Sequence, residues 1–281
     1  MNSLEGILLV DKPAGATSHD VVDAVRRALG TRKVGHAGTL DPTATGLLVI
    51  GVGRATRLLR FLGDLPKTYE GTARLGVETD TLDSEGRIVR TAEVRVGAQE
   101  VRRAMDALVG GSLQRPPAYS AVKVGGRKLY EAARAGERLE AAPRPIRVEA
   151  FDLLGFEPPD AEFRVVCSGG TYVRVLVADI GTALGCGAHL ARLVRTAIGP
   201  FRLQDASPPT VPGPLLPLER AVEHLPRLRL EPEEARAARN GSILGPAGIA
   251  GPYAVLDPEG RLIGLYRDEG SKARPEVILA T

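Results

Sequence analysis

Five prolines, Pro208, Pro209, Pro212, Pro214 and Pro217, fall within ten residues. Such a run cannot pair through the middle of a sheet or continue a helix, because each ring fixes φ and removes an N–H donor. It marks a linker or domain edge and divides the chain into a large unit, residues 1–225, and a small one, residues 226–281.

In the large unit, strand and helix patterns mix irregularly. An apolar run at 6–10 reads as a buried strand. Thr17 and Ser18 supply N-cap oxygens for a helix whose apolar face is Val21, Val22, Val25, Ala28 and Leu29, ended by Gly30. A Gly/Thr-rich loop spans 35–46, then an apolar strand 47–52 and a short helix 56–62. Residues 69–77 alternate like a strand, 80–86 form a turn and 101–109 a helix. Lys123-Val124-Gly125-Gly126-Arg127-Lys128 is a hairpin signal leading into a short helix that ends at Gly136. Strands follow near 146–156 and 161–167, a helix near 173–184 and a strand near 189–195. Beyond the prolines come a short helix and strand-like runs at 253–256, 262–266 and 277–279. Without strict βαβ alternation or a fixed-period repeat, the fold class is α+β rather than a doubly wound sheet.

No stretch has the continuous apolar length that crosses a bilayer, and the opening residues lack the basic start and long apolar region of a secretory signal. The expectation is a cytoplasmic protein. Cys167 and Cys186 are too few for a disulfide framework, and they and the four histidines lack metal-ligand spacing. The net charge of +3 permits a nucleic-acid partner. Residues 226–281 are neutral, with eight Arg/Lys and eight Asp/Glu, so the excess lies in residues 1–225. Residues 121–147 alone hold seven Arg/Lys against three Asp/Glu.

Two phosphate-loop lookalikes fail. Gly30 and Gly35 have the right spacing, but His36-Ala37 stands where Lys-Ser/Thr would hold phosphate and magnesium. Gly51-Val52-Gly53 follows a strand but lacks the third glycine of a dinucleotide fingerprint. Asp80, Asp83 and Glu85 miss the EF-hand spacing. The informative segment is Gly35-His36-Ala37-Gly38-Thr39-Leu40-Asp41-Pro42-Thr43-Ala44-Thr45-Gly46. Its glycines allow close backbone approach, and Asp41 is a carboxylate held in a tight loop, either a nucleophile or an Asp-Pro turn former.

That segment resembles the catalytic loop of the TruB family of pseudouridine synthases, whose pattern is close to GHxGxLDPxATG. Further matches follow in family order: residues 6–13, ending Val10-Asp11-Lys12-Pro13; Lys67-Thr68-Tyr69 with Arg74-Leu75-Gly76 and Thr79-Asp80-Thr81; Pro116-Pro117-Ala118-Tyr119-Ser120-Ala121-Val122-Lys123; Ser168-Gly169-Gly170-Thr171-Tyr172-Val173-Arg174; and 185–195. They cover roughly the first 200 residues. The chain departs at Thr43, where a larger aliphatic residue is usual, and at Gly169, where a basic residue is common. Residues 226–281 match only loosely, as a PUA-like RNA-binding unit or simply a small β unit closing the fold.

The resemblance implies a catalytic domain on a mixed, mainly antiparallel sheet with flanking helices, a thumb insertion at about 117–147 and a small C-terminal PUA-like unit. It implies an isomerase acting on the T-loop uridine at position 55 of tRNA by base flipping, with tRNA as partner through its T-stem and T-loop. No cofactor, metal, membrane or obligate protein partner is implied, and the protein would act as a monomer. Asp41 takes the nucleophile position, Arg174 that of its ion-pair partner, and Tyr69 that of the aromatic that stacks on the flipped base, its hydroxyl a candidate base at C5. Tyr172 and Leu193 match the uracil pocket, His36 the residue filling the flipped base's place, Asp83 a position near the RNA, and Lys12 a support of the loop. Without the resemblance, Tyr69, Tyr172 and Leu193 read as core and Arg174 as a surface arginine. Two rival expectations are a non-catalytic tRNA-binding or folding protein and a guide-RNA-dependent relative acting on ribosomal RNA.

Overall fold

The computed structural model describes residues 4–279; residues 1–3, part of the opening stretch read for a leader, and 280–281 lie outside the described residues. The first strands are β1 (Gly6–Lys12), β2 (Val34–Ala37), β3 (Thr45–Val52) and β4 (Lys67–Leu75). A small hairpin, β5 (Val77–Thr79) and β6 (Ile88–Thr91), precedes β7 (Gly110–Gln114), and β8 (Lys123–Val124) and β9 (Arg127–Lys128) form a second. Then come β10 (Arg144–Glu157), β11 (Asp160–Cys167), β12 (Ala188–Ile198) and β13 (Phe201–Arg202). The helices α1 (Ser18–Leu29), α2 (Ala98–Asp106), α3 (Leu129–Arg134) and α4 (Val173–Ala183) lie among them. One nine-stranded sheet runs β1-β3-β12-β4-β11-β10-β7, with β2 beside β3 and β13 beside β12. All its pairings are antiparallel except β12 with β3.

The continuous apolar run of β3 has a physical cause: both faces of β1 and β3 are covered. Leu8, Val10, Leu48, Ile50 and Val52 meet Val21, Val22 and Val25 of α1, while Ile7, Leu9, Leu47 and Val49 face a second cluster. Helix α1 begins at Thr17, whose hydroxyl accepts from the Asp20 amide while the Asp20 carboxylate accepts from the Thr17 amide. On the other half of the sheet, β4, β10, β11 and β12 pack on α2 and α4 around Phe151, Phe163, Leu176 and Ile180.

The two halves meet at one seam. The parallel pairing of β12 with β3 consists of Val194 beside Thr45 and Arg195 beside Gly46. Gly46 has φ +99°, and a Cβ there would lie 2.5 Å from the Arg195 carbonyl oxygen, so the seam requires glycine. The loop carrying Asp41 immediately precedes this seam.

Three expectations change. The loop expected over 35–46 begins as a strand, because Val34–Ala37 pairs along β3. The helix expected at 56–62 is two 3-10 turns, Gly53–Arg57 and Leu59–Leu62. The proline run is no free tether. It is tied to the edge strand: Ile7 and Leu216, between the last two prolines, exchange backbone hydrogen bonds, and Ser207 just before the run pairs with Val10. Proline spoils a strand interior, yet residues on either side still donate.

Beyond it, β14 (Arg227–Arg229), α5 (Pro232–Arg239), β15 (Pro252–Leu256), β16 (Leu262–Glu269) and β17 (Lys272–Ile278) form a four-stranded sheet with one helix. One face packs on α5 through Tyr253, Val255, Ile263 and Tyr266. The other, Ala254, Leu265 and Val277, joins the core cluster of β1 and β3. Among the described residues the longest helix has 12 residues, and none is long and apolar enough to cross a membrane.

Candidate active site

A cleft of about 330 Å³ opens where the seam meets α4. Asp41, Tyr69, Tyr172, Arg174 and Leu193 all line it, gathered from separate stretches of chain. Its floor is β4 and β12, on which Tyr69 is the cross-strand partner of Arg195.

The loop is held by its backbone. Ser18, in the first turn of α1, accepts from the Leu40 amide at 2.9 Å and donates to the Leu40 carbonyl at 3.3 Å. Lys12 is fully enclosed, its ammonium donating to the carbonyls of Pro13 (3.0 Å), Ala16 (2.6 Å) and Pro42 (3.1 Å). It has no surface to offer a substrate and acts as a peg under Asp41-Pro42. The Ala44 amide closes a turn on the Asp41 carbonyl at 3.1 Å. So fixed, the Asp41 side chain stays 45% exposed in a concave setting, with its carboxylate 3.3 Å from the Arg174 guanidinium. Burial pushes its carboxyl above the ordinary range; Arg174 pulls it back and Asp83 pushes it further up.

Arg174 is 4% exposed and rigidly seated. It donates to the carbonyls of Thr81 (3.1 Å) and Tyr119 (2.6 Å) and to the Asp83 carboxylate (3.3 Å). Asp83 is buried too, its other oxygen accepting from the Thr81 hydroxyl at 2.5 Å and the Glu85 amide at 3.1 Å. With both oxygens engaged, it orients Arg174 instead of presenting itself outward. The turn delivering it includes Leu82 at φ +66°, the only positive-φ non-glycine among the described residues. That conformation costs roughly 1 to 2 kcal/mol.

Tyr69 is 8% exposed, and burial pushes its phenol above the usual range while Arg195 pulls it down. Tyr172, the N-cap of α4, is clasped by Gln114, whose amide oxygen accepts from the Tyr172 amide at 2.8 Å and whose amide nitrogen donates to the Tyr172 carbonyl at 3.1 Å. His36 stands apart. It lines a neighbouring open depression with Arg32, Lys33 and Arg60, separated from Asp41 by the Ala37–Gly38 backbone. Burial lowers its pKa, and its Nδ1 makes no hydrogen bond with the protein.

Two residues of the cleft wall escape sequence reasoning. Arg195, 1% exposed, donates to the carbonyls of Leu47 (2.8 Å) and Gly38 (3.0 Å), tying the loop to the seam beneath Tyr69. Lys67, 5% exposed, reaches the carbonyls of Gly63 and Leu65, the latter at 2.6 Å, and burial brings it down to about 8. Both lie in segments that match the family, but nothing in those segments marks them as buried cations, which is visible solely once burial is known. Lys67 also explains the departure at Gly169: a Cβ there would sit 2.0 Å from the Gly63 carbonyl oxygen and 2.9 Å from the Lys67 ammonium.

Comparisons with known proteins point to one family. The model described as TruB family pseudouridylate synthase (N terminal domain) matches residues 26–173. Those of a tRNA pseudouridylate synthase B C-terminal domain and of tRNA Pseudouridine synthase II, C terminal, match 174–209 and 225–280. The tRNA pseudouridine synthase B of Aromatoleum aromaticum is 45% identical, over 95% of this chain and 90% of its own. That of Corynebacterium aurimucosum is 45% identical over 97% of each. The structure resembles a chain of the Cbf5-Nop10-Gar1 complex at TM-score 0.76 and 27% identity, over 97% of this chain and 84% of that one. It also resembles a chain of an H/ACA RNP bound to a substrate RNA containing 2'-deoxyuridine, at TM-score 0.74 and 25% identity, over 98% and 85%.

Proposed function

The chain belongs to the TruB family of pseudouridine synthases, and we propose that it converts the T-loop uridine at position 55 of tRNA to pseudouridine, with Asp41 as nucleophile. The observation that carries this reading is the Asp41 carboxylate, open to the cleft yet seated against a buried arginine. A uridine inside a folded loop reaches such a group only by flipping out of its stack.

In the proposed reaction the Asp41 carboxylate attacks C1′, the N1–C1′ bond breaks, and its electron pair stays on the uracil. The base turns, C5 bonds to C1′ and the carboxylate leaves. C5 then loses its proton and N1 gains one, so atoms and electrons balance without a redox cofactor. Arg174 offsets part of the cost that burial places on the charged Asp41 carboxylate and aims it; Asp83 and the carbonyls of Thr81 and Tyr119 keep Arg174 aimed. Tyr69 is the stacking platform, with Tyr172 and Leu193 as pocket walls and His36 meeting the RNA beside the cleft. In the free enzyme a phenol raised by burial is a poor base, which favours the ring of Tyr69 over its hydroxyl as the working part.

We assign the chemistry to residues 1–225, RNA gripping to the thumb at about 117–147, and a supporting PUA-like role to 226–281, in a protein that acts as a monomer. The test is to incubate purified protein with unmodified tRNA transcript and map pseudouridine. Modification at position 55 supports the reading. Modification elsewhere, or none, overturns it.

A further inference from the structure

Buried polar groups normally find partners. Among the described residues five side-chain atoms do not, and two of them, the hydroxyl of Ser120 and a terminal guanidinium nitrogen of Arg144, belong to residues that line the same cleft at the two roots of the thumb segment. Ser120 is 5% exposed, and its backbone is pinned, its carbonyl accepting from the Tyr130 amide at 3.1 Å. Arg144 opens β10 as the register partner of Gln114, the residue that clasps Tyr172. Asp41, the one carboxylate among the residues lining this cleft, is already engaged by Arg174, as is Asp83 behind it. Arg144 therefore keeps a buried, unpartnered nitrogen in the wall of the same cleft that holds Ser120, whose hydroxyl has nothing to donate to.

Resting on the functional reading above, we propose that Arg144 and Ser120 bind one phosphodiester group of the RNA strand flanking the target uridine. A phosphate supplies the anion that the guanidinium lacks and an acceptor for the hydroxyl, and the planar fork of arginine suits its oxygens. Clamping the strand at the cleft wall would hold the nucleotide outside its stack while the base enters the pocket. Because Arg144 is registered on Gln114, the same clamp bears on Tyr172.

The experiment couples a change in the protein to one in the RNA. A T-arm hairpin is made with a single uncharged methylphosphonate at each linkage flanking the uridine in turn, and binding is measured for wild type, Arg144→Ala and Ser120→Ala. One linkage is expected to weaken wild-type binding about tenfold, the scale of a hydrogen bond to a charged group. At that linkage Arg144→Ala should show little further loss, and Ser120→Ala a reduced one. Independent, multiplying losses at every linkage would overturn the proposal, as would a wild type indifferent to all of them. If Arg144→Ala fails to fold, the same comparison with Ser120→Ala and Arg144→Lys decides it. Pseudouridine formation in the unmodified hairpin by wild type is read in parallel. Its absence strikes the functional reading, whereas its presence without coupling strikes only the clamp.

Discussion

Two aspartates, one in each unit of the chain, meet opposite fates. Asp257, in the C-terminal unit, is 0% exposed. Burial works to raise its pKa, but the Arg261 amide (2.8 Å), the Arg261 side chain (2.8 Å) and Arg239 (2.5 Å) outweigh that and hold it below the ordinary range. Asp268 likewise ends low: against burial it accepts from the Tyr253 hydroxyl and three backbone amides. Asp41 is reachable from outside, has one arginine at 3.3 Å shared with Asp83, and is held high. A structural carboxylate is saturated with donors, whereas a reacting one must keep lone pairs free and tolerate a cost in stability.

The sharpest break of this comparison is Asp41→Asn against Asp257→Asn. The first should cut pseudouridine formation by more than about a thousandfold, about 4 kcal/mol of barrier, with tRNA binding near wild type. Activity of even a tenth of wild type would remove Asp41 from its role. The second should retain activity at low temperature but lower the melting temperature.

Next in size is Arg195→Met, which strands the carbonyls of Leu47 and Gly38 beneath the loop. A loss of about 1 to 3 kcal/mol in stability is expected from orphaned buried groups, read by thermal melting, together with a lower kcat.

The pH dependence gives opposite signs. Asp41's folded pKa is raised, so the fold prefers the protonated acid, and stability falls as pH rises through the window starting near the unfolded value of about 3.9. Asp41→Asn should therefore raise the melting temperature at neutral pH and flatten that slope. Asp257's is lowered, so its contribution is present above about 3.9 and is lost as pH falls through its folded pKa. Melting curves across acid pH check both, and a neutral-pH destabilisation by Asp41→Asn would contradict the first.

The smallest effect concerns the segment proposed as a thumb. Arg127 and Lys128 are already paired with Glu137 and Glu131. Lys123→Ala with Arg138→Ala should flatten log K against log salt by about 0.7 to 0.9 for each phosphate that is no longer neutralised. Arg127→Ala should do less, since its charge is spent within the segment.

Much of this was legible in the sequence where the cause is local. Alternation marks β4, Thr17 and Gly30 bound α1, and Gly125-Gly126 makes the turn between β8 and β9 with φ +58° and +85°. The catalytic loop and Asp41 stood out through resemblance. Sequence could not assign Arg195 and Lys67, because a buried cation is defined by the carbonyls around it, which come from distant segments. Nor could it show that Asp83 is spent on orienting Arg174, whereas Lys12 supports the loop as the resemblance implied.

By itself, then, the sequence determined most of the elements, the α+β class and the family, and singled out Asp41 through resemblance, since these rest on periodicity, capping and motifs in a fixed order. Only the tertiary structure decided which charges face the cleft and which hold it up. That assignment depends on burial and on pairing across the β3–β12 seam, where Gly46 meets Arg195 and residues about 150 positions apart become neighbours.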